Sequence, residues 1–178
     1  MSQKGEQRVT ALTFTATARG KFSGNGLTCQ CALGRGGVVG AAQKREGDGT
    51  SPQGVWQMKR VFYRPDRMAR PDTNLPVVPL RETDGWCDAP DHPLYNRPVT
   101  LPFQASHEKL WRDDHVYDLI VELDHNSDPV VPARGSAVFF HLAHDDYRPT
   151  EGCVAISREH MLLVLINSSD ETSIKIEF

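Results

Sequence analysis

Two residues in the last third of the chain have the types and the spacing for covalent chemistry. His141 closes an apolar run, Ala137-Val138-Phe139-Phe140-His141, and Cys153 follows in Thr150-Glu151-Gly152-Cys153-Val154. A thiol is a nucleophile only as thiolate, and a free cysteine titrates at about 8.5, so it needs a base at neutral pH. An imidazole can take that proton and orient the sulfur. Gly152 adds a further possibility. With no Cβ it lets backbone N–H groups approach a carbonyl oxygen, and the Gly152 and Cys153 amides could stabilise an oxyanion. The chemistry in view is acyl transfer through a cysteine.

A cysteine and a histidine by themselves read better as an inert buried thiol and a satisfied core histidine. The order strand, His, loop, Gly-Cys brings the site reading level with that one. A metal centre is the competing reading, with His141, His144 and Cys153 joined by His160 or Asp146. Residues three apart on a strand face opposite ways, so His141 and His144 would not converge without a turn, and neither metal nor cofactor is expected. Arg148, in the loop just before the nucleophile, is a candidate for binding substrate carboxylates, because a guanidinium fork suits that geometry. Arg64 and Arg67 have the same chemistry but read better as surface or structural ion pairs. Trp86 and Tyr95 are candidates for the cleft wall, with core or loop-anchoring roles as the alternative.

The elements that must position these residues read as mostly strands. Alternation predicts strands over 9–18, with Leu12, Phe14 and Ala16 on one face, and over 54–63. A strand over 116–123 would put Tyr117, Leu119, Val121 and Leu123 on one face. Residues 27–33 and the apolar run 137–142 read as further strands, and Ile174, Ile176 and Phe178 as a closing one. Ser106 predicts a short helix through Trp111, and Ser157 a helix through Ile166 with Met161, Leu162, Leu165 and Ile166 inward. Residues 64–97, dense in Pro, Asp and Gly, read as a long ordered loop or short strands. The 14 Gly and 12 Pro agree with many turns.

The segment around Cys153 resembles the signature of the YkuD-type L,D-transpeptidases: an apolar strand ending in His, then Ser/Thr-His-Gly-Cys and an apolar residue. The likeness extends further. Lys44-Arg45-Glu46-Gly47-Asp48-Gly49-Thr50-Ser51-Pro52-Gln53-Gly54 is similar to the family's turn before its TP-x-G strand. Tyr63-Arg64-Pro65-Asp66-Arg67, Asp84-Gly85-Trp86-Cys87-Asp88, Tyr95-Asn96-Arg97 and Gly135-Ser136-Ala137 resemble a compact proteobacterial subgroup. The resemblance covers about residues 33–156. It implies a mainly β fold with two short helices, a YkuD-like β-sandwich or mixed-sheet single domain over residues 1–178. It also implies Cys153 as nucleophile, His141 as its base, Gly152 and Cys153 as oxyanion donors, and Thr150 as support for the turn.

The chain departs from the family pattern at two positions. Glu151 stands where the family has His, and a carboxylate there opposes thiolate formation unless neutralised, for which Arg148 is the candidate. Ala155 stands where the family has Asn or Arg. The substrate implied is a peptidoglycan stem peptide or muropeptide, cleaved with release of the terminal D-amino acid and a thioester on Cys153. An amine acceptor makes the enzyme a transpeptidase, and water makes it an L,D-carboxypeptidase. A catalytically silent peptide-binding module is the reading from another class, supported by Glu151 and Ala155. Covalent labelling of Cys153 by a carbapenem is a further expectation.

Bulk properties set outer bounds. A chain of 178 residues can bury a sizeable core without disulfides. The net charge of −3, with no block of like charge, argues against nucleic acid or an anionic membrane as partner. No apolar stretch approaches bilayer-spanning length, so no membrane insertion is expected. Cys29, Cys31, Cys87 and Cys153 form no zinc-ribbon or CxxC pattern and read as reduced thiols. Residues 1–10 are polar, without the apolar core of an export signal. The expected location is cytoplasmic if Met1 is the true start, and periplasmic if an export signal was removed.

Overall fold

The computed structural model describes residues 11–178. The reading of residues 1–10 and the first two positions of the strand predicted over 9–18 lie outside them. Along the chain run β1 (Thr13–Thr17), β2 (Lys21–Gly24), β3 (Leu27–Gln30), β4 (Val38–Gly40) and the long β5 (Ser51–Tyr63). Next come β6 (Val77–Pro79), β7 (Asp84–Cys87), β8 (Pro98–Thr100), β9 (His107–Lys109) and β10 (Leu119–Leu123). The chain ends with β11 (Phe139–Leu142), β12 (Val154–Ile156), the helix α1 (Arg158–Leu165) and β13 (Ser173–Glu177).

The main sheet runs β12-β11-β10-β5-β13-β1-β2-β3, with β4 and β6 also paired to β5. β5 is long enough to serve both halves: Gly54–Gln57 pairs with β13, and Met58–Tyr63 with β10. The sheet bends there and rolls over itself. Phe22 of β2 and Phe140 of β11, far apart in the strand order, stack with ring centroids 5.3 Å apart. A bridge between Ala32 and Ala155 brings the two ends of the sheet together. Between the layers lies a core of Phe14, Phe22, Met58, Val61, Leu119, Phe140, Ile174 and Ile176 with their neighbours, each almost fully removed from water. Burial of that kind stabilises by about 25 cal/mol per Å² of apolar surface, so alternation on these strands sets the fold.

The helix starts where Ser157, in extended conformation, accepts a hydrogen bond from the His160 N–H, and it turns Met161, Val164 and Leu165 into the core. Leu162 and Ile166, expected inward, are exposed. The second expected helix, over 106–111, is a strand instead. Residues 107–109 pair with Gly85–Cys87 as β9, and with β8 on the other side of β7 they form a three-stranded sheet. A six-residue helix is marginal alone, and the edge of β7 offers ladder hydrogen bonds that outweigh the Ser106 cap. The alternation predicted from Tyr117 also breaks. The Asp118 N–H turns back to the His115 carbonyl, β10 begins at Leu119, and Tyr117 packs with Ile120 on the opposite face from Leu119.

Candidate active site

Strands β11 and β12 lie side by side in parallel, with His141 paired to Ala155 and Phe140 to Val154. Side chains alternate, so Phe140, Leu142, Val154 and Ile156 enter the core, while Phe139, His141, Cys153 and Ala155 share the outer face. Cys153 sits one residue before β12, diagonal to His141. Strand spacing and rise put such positions about 8 Å apart at Cα, within reach of a thiol and an imidazole pointing toward one another. Both side chains line a cavity of about 610 Å³.

The backbone turn that presents Cys153 is tied down at every step. The Thr150 hydroxyl accepts from the Gly152 N–H (3.1 Å) and donates to the Cys153 carbonyl (2.7 Å). The Ser51 hydroxyl donates to the Gly152 carbonyl and accepts from the Gly34 N–H, both at 2.9 Å. Only glycine fits at 152: its φ is +137°, and a Cβ would come within 2.7 Å of the Thr50 carbonyl oxygen. Ser51 is placed by the Gly47–Thr50 turn, which wraps around Asp48. Its carboxylate accepts from Lys44 Nζ, the Arg45 and Thr50 N–H groups and the Thr50 hydroxyl. Burial opposes ionisation of Asp48, but these donors hold its carboxyl down at about 2.

This geometry corrects one expectation. The Gly152 amide is spent on Thr150, so it is not a free oxyanion donor. The Cys153 N–H, by contrast, donates to no acceptor among the described residues.

The Cys153 thiol donates to the Ala137 carbonyl (3.2 Å) and accepts from the Phe139 N–H (3.4 Å), and His141 is not among its hydrogen-bond partners. Burial pushes the thiol up to about 12, and the Glu108 carboxyl adds to this, while the Phe139 N–H and Lys44 act the other way. Burial holds His141 down at about 4. The resting pair is therefore neutral thiol and neutral imidazole. The tautomer of the imidazole follows from its partner. Nδ1 lies 2.9 Å from the Leu142 carbonyl, which can only accept, so Nδ1 carries the proton and Nε2 is the basic nitrogen.

A second part of the lining comes from β9 and the segment after it. Glu108, Arg112, Val116 and Tyr117 line the cavity there. The Tyr117 hydroxyl donates to Glu108 at 2.5 Å, the Tyr117 ring meets the His141 ring edge-on at 5.1 Å, and the Arg112 guanidinium lies 5.1 Å from the Tyr117 ring. Burial raises the Glu108 carboxyl to about 7 against the opposing pull of Tyr117 and Arg112. Sequence reasoning missed Glu108, Arg112, Tyr117, Lys44, Asp48 and Ser51 as site residues. The Gly-Asp-Gly-Thr turn was a signal for the last two. Nothing local marks Glu108, because the pairing of β9 with β7 is what brings it to the cavity.

Thr150, Glu151 and Arg148 line the cavity, the last two at its exposed rim. Glu151 is neutralised by Arg35 (2.8 Å), not by Arg148. Trp86 is not in the cavity wall. It is 3% exposed, packs edge-on against Phe139, and donates its indole N–H to Asn96 (2.9 Å). Asn96 in turn accepts from the Ala137 N–H (3.0 Å) and holds that residue at φ +50°, with its carbonyl on the Cys153 thiol. Trp86 therefore acts on the site at second hand. Tyr95 is also buried, bonded to Glu46 and Gly135. Arg64 pairs with Asp66 and stacks on Trp111, and Arg67 pairs with Asp118, so neither reaches the cavity. Among the described residues, no three His, Cys, Asp or Glu side chains converge in a way that could hold a metal ion.

Comparison with known proteins adds a family-level finding. The family model described as the YkuD L,D-transpeptidase catalytic domain matches residues 5–176. Two solved structures are similar. The first, L,D-transpeptidase 1 of Mycobacterium tuberculosis, is 13% identical with a TM-score of 0.42, over 94% of this chain and 62% of that one. The second, an L,D-transpeptidase from Mycobacterium smegmatis, is 11% identical with a TM-score of 0.43, over 94% of this chain and 59% of that one. The chain thus spans about three fifths of the length of the mycobacterial proteins it matches. No curated protein matches it significantly.

Proposed function

The chain belongs to the YkuD family of L,D-transpeptidase catalytic domains, and from that membership we propose that it cleaves a peptidoglycan stem peptide through a thioester on Cys153. The observation that carries this reading is the shared outer face of β11 and β12. It puts Cys153 and the basic Nε2 of His141 in one cavity wall, with the His141 tautomer already set.

In the first half-reaction the Cys153 thiol gives its proton to His141 Nε2 as sulfur attacks the carbonyl of the third, diamino acid residue. Because thiol and imidazole rest neutral, this proton moves as the S–C bond forms rather than before it. The oxygen of the tetrahedral intermediate takes the Cys153 N–H. Collapse breaks the C–N bond, and His141 returns the proton to the departing D-amino acid. In the second half-reaction an acceptor attacks the thioester and the sulfur leaves with the proton. An amine acceptor gives a crosslink or an exchanged D-amino acid, and water gives the tripeptide. Arg148 and Glu151, which line the rim, are the candidates for meeting the charged ends of the peptide.

The test is incubation of the protein and of Cys153→Ala with a tetrapeptide stem, with and without a D-amino acid acceptor, read by mass spectrometry. Loss of the terminal residue with incorporation of the acceptor, only when Cys153 is present, is the expected result. Tripeptide alone, again dependent on Cys153, makes it an L,D-carboxypeptidase and fits a cytoplasmic role in muropeptide recycling. An unchanged stem peptide in both samples overturns the proposal and supports the peptide-binding module. Carbapenem acylation of Cys153 is expected as a mass adduct absent from Cys153→Ala.

A further inference from the structure

Among the cavity-lining groups that the mechanism so far leaves without a role is the carboxyl of Glu108, bonded to Tyr117. Charged groups face it from every surrounding element. Arg112 follows it in the chain and covers the Tyr117 ring, Asp88 sits just past β7, Glu46 lies in the turn before β5, and Cys153 precedes β12. Asp88 Oδ1 is buried without a hydrogen-bond partner among the described residues, so Asp88 offers Glu108 no relief. Glu108 is thus an acid set among other acids, with one hydroxyl and one guanidinium in its favour.

The hydrogen bond of 2.5 Å between Glu108 and Tyr117 holds one proton when the carboxyl is ionised and two when it is not. Ionised, Glu108 can only accept, and the Tyr117 hydroxyl must donate to it. Protonated, Glu108 can donate to Tyr117 Oη, and the tyrosine proton is released to another acceptor. We propose that Glu108 is a positioning residue for acyl transfer: protonated, it turns the Tyr117 hydroxyl into the cavity toward the oxygen of the acyl group on Cys153, and ionised, it withdraws that donor and opposes the thiolate. The inference rests on Cys153 being the nucleophile.

Both consequences favour reaction when Glu108 is neutral. The attacking sulfur and the tetrahedral oxygen each gain negative charge, and a neutral partner costs them nothing. The three groups feel one another's charge: the Glu108 carboxyl raises the Cys153 thiol, and charge on Cys153 raises the Tyr117 hydroxyl. With Glu108 titrating at about 7, the switch falls at neutral pH. Below it the donor is in place, and above it the site carries an extra negative charge. Activity limited by Glu108 therefore falls as pH rises through neutrality, against the ordinary trend of a thiol enzyme.

The test uses the thiol itself, on the full chain. Cys153 is alkylated with the neutral reagent iodoacetamide from pH 5.5 to 9.5, and its peptide is quantified by mass spectrometry in wild type, Glu108→Gln and Tyr117→Phe. Glutamine keeps a donor toward Tyr117 and cannot ionise. The Glu108→Gln to wild-type rate ratio is expected to stay within about twofold at pH 5.5 and to exceed about fivefold at pH 8.5, since one unit of thiol pKa is a factor of ten. Tyr117→Phe removes a bond that stabilises the carboxylate, so the neutral-pH shoulder of the wild-type profile moves to higher pH. A flat ratio, a slower Glu108→Gln at high pH, or a shoulder unmoved in Tyr117→Phe overturns the proposal. If Glu108→Gln does not fold, the Tyr117→Phe shoulder decides alone. Alkylation needs no peptide, so failure to cleave the stem peptide counts against the proposed function and leaves this result readable.

Discussion

The two walls of the cavity are built on opposite principles. The β11–β12 wall is made of regular strands whose inner faces are the core, so its chemistry rides on a rigid, apolar support and its working groups rest neutral. The β9–Tyr117 wall is made of a three-residue strand and irregular chain, and it carries the charge: Glu108, Arg112 and their partners. A nucleophile gains from a fixed position, whereas a group that responds to pH needs a neighbour of adjustable charge. On the proposed chemistry, placement and electrostatic control fall to two different pieces of structure.

Substitutions on the placement wall should cost most. Replacing His141 with Ala removes the base while leaving the Cys153 turn intact, and a fall in kcat of about 10²–10⁴ is expected in the stem-peptide assay. Activity of His141→Ala within tenfold of wild type would show that another group accepts the proton. Gly152→Ala should strike stability and activity together. A side chain at φ +137° and 2.7 Å from a carbonyl oxygen forces the turn to move. A loss of about 2–3 kcal/mol, seen as a melting temperature lower by roughly 5–10 °C, is expected, and a displaced sulfur costs about 10²-fold in turnover. An unchanged melting curve would mean that the turn is looser than its hydrogen bonds suggest.

The same division explains what could be read from the sequence. Cys153, His141 and Gly152 were legible because an apolar run ending in His is followed, after a loop, by Gly-Cys, whereas the shared face of His141 and Cys153 comes from the pairing of β11 with β12, a strand the sequence reading did not include. The strands β1, β5, β11 and β13 announced themselves in the same way, since each presents an alternating or continuous apolar run to the core. Glu108 was hidden, because 106–111 carries a helix cap and too little pattern to contradict it, and only pairing with β7 decides otherwise. Trp86 was misplaced for the converse reason. Its type suits a cleft wall, but the bond to Asn96 fixes it behind Phe139. Arg35, the partner of Glu151, is 116 residues away in sequence, a separation at which no local pattern operates.

Asp48, at the centre of the turn that places Ser51, gives an effect of middle size. Its carboxyl is held at about 2, below the ordinary value of 3.8, so it stabilises the fold above pH 4 and loses that contribution as pH falls through 2. Solvent screening of this partly exposed group reduces the gain to about 1–2 kcal/mol. Asp48→Asn should lower the melting temperature at pH 7 by roughly 2–8 °C and should narrow its gap to wild type as the pH is lowered below 4. A gap that persists at pH 2 would assign the effect to packing of the turn rather than to the charge.

The smallest effect sharpens the comparison most, because it sets two carboxylates against one thiol. Glu108 and Glu151 both oppose the Cys153 thiolate, but Glu108 does so from inside the cavity, whereas Glu151 lies at the rim, largely in water and bonded to Arg35. Water and the counter-charge screen Glu151, and the cavity screens Glu108 far less. Glu151→Gln should therefore change the alkylation rate of Cys153 by less than about twofold at any pH from 5.5 to 9.5, and 0.5 M salt should erase what difference remains. Arg35→Ala should slow alkylation slightly, by unmasking the Glu151 charge, and the double substitution should return to the Glu151→Gln rate. If Glu151→Gln instead matches Glu108→Gln, the control of the thiol belongs to the rim, and the division between the walls fails.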